Sequence, residues 1–382
     1  MVKLKKVKPI DEEMLKAISY TWNRDEDGSY IVKDNLVVLS EDEADEYYKA
    51  ANTLYEMYEN GAEYVIKNNL FEELDIPPSM VNLIKHSWKF QRGEHLYGRF
   101  DFSGGVDGLE IKLIEFNADT PTLLLETSLV QLMILEYNNL KEYKQFNNIY
   151  EAIVAKYREL ASLKKGEYSR FLFSSVDDIE EEISTTKLLQ KIADDAGCIT
   201  NFSYLDKTYF SEGAVLDENE IEYDYWFKLY PWEEMADLEP DLLELLKSNL
   251  LNKETNILNP AYTLLFQSKG MLKILYDLYP DSPYLLKTSF KPLKEKYVKK
   301  NSFGREGANI DIVENGEILH STDGIYDKYK PIYQAFATFA QDTDLNYYQA
   351  GVFFSGEACG VGFRRGSIVL DDMSQFVGHI VI

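Results

Sequence analysis

The chain holds only two cysteines in 382 residues, Cys198 and Cys359, far apart and without metal-type spacing, which argues against a disulfide framework or a thiolate zinc site. Its four histidines, His86, His95, His320 and His379, are scattered and form no ligand motif. No serine or cysteine nucleophile has a plausible base, so catalysis by positioning and electrostatics is what remains. Uninterrupted apolar runs long enough to span a bilayer are absent. Met1-Val2-Lys3-Leu4-Lys5-Lys6 is not followed by an apolar segment, so no signal peptide and no membrane partner are expected, and the cytoplasm is the default compartment. Basic residues are in deficit, 40 Lys and Arg against 65 Asp and Glu, and the net charge of −25 argues against a nucleic-acid partner, which needs clustered cations.

What is present is an ordinary globular composition, 45% hydrophobic and 27% charged, in a chain long enough for a large core shared by two or three lobes. The stretch that organises it begins at Gly98-Arg99-Phe100-Asp101-Phe102 and resumes, after a glycine-rich turn, at Leu109 to Asn117. Leu109, Ile111 and Leu113 alternate with Glu110 and Lys112, the period of a strand with one face on a core. Continued, that alternation makes Glu115 and Asn117 the next inward positions. Carboxyl and amide groups there imply a bound partner, because an unpaired buried carboxylate is costly, and a cation is the simplest one. With Arg99 and Asp101 on one side of the first strand, the pair offers a hard oxygen set suited to Mg²⁺ beside a guanidinium fork for phosphate. A solvated hairpin with surface charges is the competing reading, and the register between the strands is open.

Along the rest of the chain, Asp11 to about His86 reads as largely helical, with Ser40-Glu41-Asp42-Glu43 capping a long acidic helix to about Tyr64. Asp119 or Thr120 is expected to cap a helix that has Pro121 in its first turn and runs through Leu123 to about Leu140, aiming an anion-binding terminus at the strand end. A strand from Phe171 to Val176, a helix ending at Gly197 and a strand from Cys198 to Tyr204 suggest a parallel pair in an α/β layer. The last third predicts an antiparallel sheet, with Asn315-Gly316 as the strongest hairpin turn. Its loop from Asn301 to Gly307, next to Lys299 and Lys300, could lay N–H groups over a triphosphate, although a surface hairpin loop would look the same. Lys269, at a helix start where a cation is disfavoured, hints at an outside anion. Gly360 and Gly362, before Arg364, would let a backbone or ligand come close.

Arg99-Phe100-Asp101, Glu115-Phe116-Asn117-Ala118-Asp119-Thr120-Pro121-Thr122, Lys228-Leu229-Tyr230-Pro231-Trp232-Glu233, Lys300 with Gly304 to Asn309, Tyr333-Gln334 and Gly362-Phe363-Arg364 together resemble the motif series of glutathionylspermidine synthases, in the family's order. The resemblance implies an α/β (α+β) fold of ATP-grasp type, multi-lobed, with mixed and antiparallel sheets and an amino-terminal helical segment. The lobes expected are 1–95 helical, 96–165 with 331–382 as the metal and catalytic sheet, 166–255 as an α/β substrate lobe, and 256–330 as a lid with the glycine-rich loop. It also implies an ATP-dependent carboxylate–amine ligase that forms an amide through an acyl phosphate, with glutathione and an amine or polyamine such as spermidine as first substrates and a homodimer among its states. By the same resemblance Asp101, Glu115 and Asn117 hold Mg²⁺, and Arg99 and Arg364 are catalytic. Lys269, Lys300, Gly304, Gly307 and Gln334 bind ATP, and Thr120, Thr122, Arg305 and Glu181 bind substrate. Asn301 stands where the family has proline and Arg365 where it has an acid, a departure that bears on substrate identity. The chain carries no amidase cysteine of the bifunctional members, so amidase activity is not implied. A non-catalytic nucleotide- or polyamine-binding relative is the alternative reading.

Overall fold

The computed structural model describes residues 1–382 with the exception of 23, 26–27, 165–168, 212, 253–254 and 372; the expected lobe boundary at 165/166 lies outside the described residues. Its centre is an antiparallel sheet in the order Gln375–Val377, Glu357–Gly366, Tyr347–Ser355, Gly98–Ser103, Lys112–Asn117, with the short strand Ala340–Gln341 paired to Tyr347–Ser355. Arg99 lies opposite Asn117, Phe100 opposite Phe116 and Asp101 opposite Glu115, so the acids share one face and the phenylalanines the other.

The helix Glu41–Asn68 packs on the phenylalanine face. Ser40 and Glu43 form the expected capping box, and the buried positions Tyr47, Ala50, Ala51, Leu54, Tyr58, Ala62 and Val65 recur at helical spacing. Tyr47 and Tyr58 meet Phe102, Phe100 and Phe116 in tilted or edge-on contact, while Phe100 and Phe116 stack with centroids 3.8 Å apart. The Tyr47 hydroxyl donates to Gly104 O at 2.6 Å, and a Cβ on Gly105, whose φ is +80°, would fall 2.4 Å from the Tyr47 ring. The turn therefore needs its glycines both for conformation and for room.

Two further sheets flank this one. Asn256–Leu258, Tyr225–Lys228, Arg170–Ser175 and Ile199–Tyr204 form a parallel sheet, with the helix Glu180–Ala196 crossing between its last two strands and ending at Gly197 in the left-handed conformation. Thr288–Ser289, Pro331–Ala335, Tyr297–Asn301, Asp311–Glu314 and Glu317–Ser321 form an antiparallel sheet, in which Asn315 and Gly316 supply the paired positive φ of the expected hairpin turn.

Two expectations are corrected. The amino-terminal segment holds helices at Glu12–Ala17, Glu41–Asn68 and Val81–Phe90, but also the strand Asn35–Leu39, which pairs in parallel with His379–Val381. Leu36, Val37 and Leu39 are fully buried, and so short an apolar run does not distinguish strand from helix by period. The expected helix forms from residue 124 to 137, but through a π-helical turn, Glu126–Val130, that leads into Gln131–Tyr137, and neither Asp119 nor Thr120 caps it. At Gly360 another backbone does come close, as expected: Asn147 bridges to it and Phe146 O would lie 3.3 Å from a Cβ there, with Ile149 at 2.6 Å, while at Gly362 the near neighbour is the Thr127 side chain at 2.6 Å. Among the described residues no helix is long and apolar enough to cross a membrane. Replacing Phe100 by Ala should lower the unfolding free energy by about 3–5 kcal/mol in urea denaturation, because the stacked ring leaves a cavity behind the acid-bearing strand.

Candidate active site

A cavity of about 300 Å³ opens where the three sheets meet, and Arg99, Asp101, Glu115 and Asn117 form its floor. How they reach it differs from the simple alternation. Asp101 pairs with Glu115 but Phe102 pairs with Leu113, so Ile114 is one residue too many, a β-bulge. Ile111 and Leu113 therefore stay on the core side, and beyond the bulge the faces exchange: Phe116 is buried against Phe100 while Glu115 and Asn117 turn to the cavity. The acid and amide do not continue the aliphatic face; they oppose it.

The floor is tightly cross-linked. Arg99 Nε and one terminal nitrogen donate to Asp101 Oδ1 and Oδ2 at 2.7 and 2.9 Å, and its other nitrogen donates to Thr122 O at 2.8 Å. Gly351, the residue opposite Asp101 on the next strand, leaves the space Arg99 fills, since a Cβ there would lie 3.0 Å from Arg99 Cδ. Asn117 Nδ2 lies 3.1 Å from Asp101 Oδ2 and 3.4 Å from Glu115 Oε1, so the three side chains converge on one spot.

The antiparallel sheet that holds Tyr297–Asn301 and Pro331–Ala335 reaches down to the bulge. Lys300 Nζ donates to Ile114 O at 2.7 Å and Gln334 Nε2 to Leu113 O at 3.0 Å. Lys269, expected to face an outside anion, pairs with Glu115 at 3.1 Å and donates to Gly304 O at 2.7 Å, tying the floor to the glycine-rich loop. Burial opposes ionisation of Glu115, yet the Lys269 and Lys300 ammonium groups outweigh it and hold the carboxyl down at about 2. Burial, with help from Lys269, brings Lys300 down to about 7. Gly307 has φ of +69° and sits against Leu370 O, so the loop is backed by the carboxyl-terminal segment.

The far wall carries Thr120, Thr122, Glu181, Arg305 and Arg364. Arg305 pairs with Glu233 at 2.7 Å. Arg364 donates to the carbonyls of Asp371 and Ser374, and its buried Nε has no partner, an unspent donor facing a charged cavity. All the residues named above for metal, nucleotide, catalysis and substrate thus line one cavity. Arg365 lies apart from it, donating to Gln375 Oε1.

Sequence reasoning missed the brace behind the wall. Asp119 is fully buried against Lys228 at 3.3 Å, accepts from Trp232 N at 2.9 Å, and Lys228 sits over the Trp232 ring. Burial pushes the Asp119 carboxyl up to about 6 even with Lys228 beside it. The aspartate and lysine both stood inside recognised motifs, but no local signal joins residues 119 and 228.

Comparison with known proteins gives the family. The family model "Glutathionylspermidine synthase preATP-grasp" matches residues 2–382. The chain belongs to the glutathionylspermidine synthase family. A Haemophilus influenzae protein named as an acid–amine ligase is 32% identical over 375 residues, covering 93% of this chain and 92% of that protein. The bifunctional glutathionylspermidine synthetase/amidase of Escherichia coli is 29% identical over 90% of this chain, which spans 59% of that longer protein. Trypanothione synthetase of Crithidia fasciculata is 26% identical, and the chain spans 49% of it. Among solved structures, a glutathione synthetase-like effector from Globodera pallida superposes with a TM-score of 0.57 over 91% of this chain and 89% of its own, at 8% identity, a likeness of fold.

Asp119→Asn should destabilise the protein by about 3–5 kcal/mol in chemical denaturation, because it strands a buried lysine, whereas Asp119→Leu with Lys228→Met should recover most of that loss.

Proposed function

We propose that this ATP-dependent carboxylate–amine ligase activates a peptide carboxylate, glutathione being the first to try, and joins it to an amine such as spermidine. The observation that carries the reading is the shared face: Arg99, Asp101, Glu115 and Asn117 meet Lys269, Lys300 and Arg364 around one cavity. Two carboxylates and one amide oxygen suit Mg²⁺, which takes few protein ligands and keeps the rest of its shell for water and phosphate. No group of three or more His, Cys, Asp or Glu among the described residues is arranged for a metal without such help. Asp101, Glu115 and Asn117 would hold the ion, and when bound it neutralises charge on the phosphoryl group in transfer.

The chain's own groups do the rest. Lys269, Lys300 and the backbone of the loop from Gly304 to Gly307 would grip phosphates from the lid side. Val298, Ile312 and Phe336 supply an apolar slot beside Gln334 for the base. Arg99 and Arg364 would brace the substrate carboxylate as it becomes an acyl phosphate and then bear the oxyanion formed under amine attack, charge that grows only on the way to the transition state. Thr120, Thr122, Arg305 and Glu181 would position the peptide.

The test is ADP release, which should require Mg²⁺, the peptide and the amine together. Asp101→Asn should lower kcat by about 10²-fold or more with a native near-ultraviolet spectrum. A broad panel of peptides and amines that yields no ADP above background would return the chain to a nucleotide- or polyamine-binding role.

A further inference from the structure

Behind the cavity wall lies a second acid. Glu126 opens the π-helical turn Glu126–Val130, a rare irregularity that concentrates at functional sites, and only 1% of its surface is exposed. Its Oε1 accepts from the Tyr20 hydroxyl at 3.1 Å, a contact across 106 residues from the amino-terminal segment. No lysine, arginine or histidine among the described residues pairs with it; the charge that acts on it is that of another carboxyl, Glu181, on the helix Glu180–Ala196. Glu181 lines the cavity, and its enclosed Oε1 has no partner.

A buried carboxyl with a hydroxyl donor and no cation cannot stay ionised cheaply, and a like charge beside it raises the cost. The two acids are not equivalent. Burial opposes charge on both and raises both carboxyls, but Glu181 has Thr122, Arg364 and Arg99 to favour its charge, against Glu306 on the glycine-rich loop, whereas Glu126 has its own backbone N–H and the Tyr20 hydroxyl against burial and Glu181, with Tyr30 close to both. One proton therefore settles on the inner acid and one charge on the outer.

We propose that Glu126 is a positioning residue of the substrate cavity: it keeps its proton in the free enzyme and yields it to solvent when an ammonium group of a substrate docks against Glu181. The ammonium is either the α-amino end of a peptide or one end of a polyamine, since both present the same charge. The inference rests on the ligase reading for its substrates but not on turnover, because the proton is lost on binding. Burial, then the charge of Glu181, raises the Glu126 carboxyl to about 8, which puts the loss within the working range of pH.

The sign follows from linkage. Above pH of about 8 the inner acid is already ionised and the cation binds at full affinity; below it a proton must leave first, so KM for the cationic substrate should rise up to about tenfold per pH unit with kcat unchanged. Glu126→Gln, which keeps the Tyr20 contact and the shape, should bind weakly at every pH, with a flat KM profile. Calorimetry of spermidine and, separately, glutathione at pH 7.5 in phosphate and in Tris reads the proton directly through the difference in buffer ionisation heat. Proton release with one probe, absent in Glu126→Gln, supports the proposal and identifies which substrate end docks there. No release with either probe in the wild-type protein overturns it, as does unchanged release in Glu126→Gln. If the variant fails to fold, the wild-type buffer comparison still decides. ADP formation from the same two compounds tests the ligase reading separately.

Discussion

Everything at the centre of this molecule depends on two adjacent strands keeping opposite chemistry on their two faces. Phe100 and Phe116 stack face to face on one side while Asp101 and Glu115 stand opposite one another on the other. Burying the rings under the helix Glu41–Asn68 stabilises the pair by roughly 1.5–3 kcal/mol per ring, while Arg99 on Asp101 and Lys269 and Lys300 on Glu115 offset the two like charges held side by side. The bulge at Ile114 makes the arrangement work. It turns Glu115 away from the core and leaves Ile114 O and Leu113 O free to accept from Lys300 and Gln334. A local irregularity in one strand thus becomes the place where the sheet of Lys300 and Gln334 docks.

Charge then unites the lobes. Lys269 with Glu115 joins the floor to the glycine-rich loop through Gly304 O, Arg305 with Glu233 joins that loop to the α/β layer, and Lys228 with Asp119 joins the same layer to the segment after the acid-bearing strand. These are buried or half-buried pairs, so each is worth little as net stability but much as specification, because a misplaced partner would leave an uncompensated ion. For a ligase of this family, that specification is the relevant property, because it fixes the charged groups around the shared cavity.

Much of this was legible in the chain. Ser40 with Glu43, Asn315-Gly316 and Gly197 each announced an element boundary, since caps and left-handed turns depend on the residue itself and its near neighbours. That Arg99 and Asp101 share a face was readable from simple alternation, and so was the ordered motif series, whereas alternation put Glu115 and Asn117 on the aliphatic face and the bulge at Ile114 overturned it. Neither Asp119 nor Thr120 caps the expected helix, because the partners of Asp119 are distant in the chain, and the strand Asn35–Leu39 reads as helix because its pairing with Leu4–Lys6 and with the carboxyl-terminal strand is not written in its own residues. Arg365, the departure from the family pattern that stood next to a site residue, proved to point elsewhere, as alternation along a strand requires.

Composition, period and short motifs by themselves determined the class of fold, the presence of an oxygen-rich metal-type face and the family. Tertiary structure alone decided that the two polar faces coincide, that a bulge reverses one of them, and that Glu126 lies behind Glu181. The reason is that a side chain's period is written locally, whereas register, and with it every contact between strands or lobes, is set by which buried surfaces fit together.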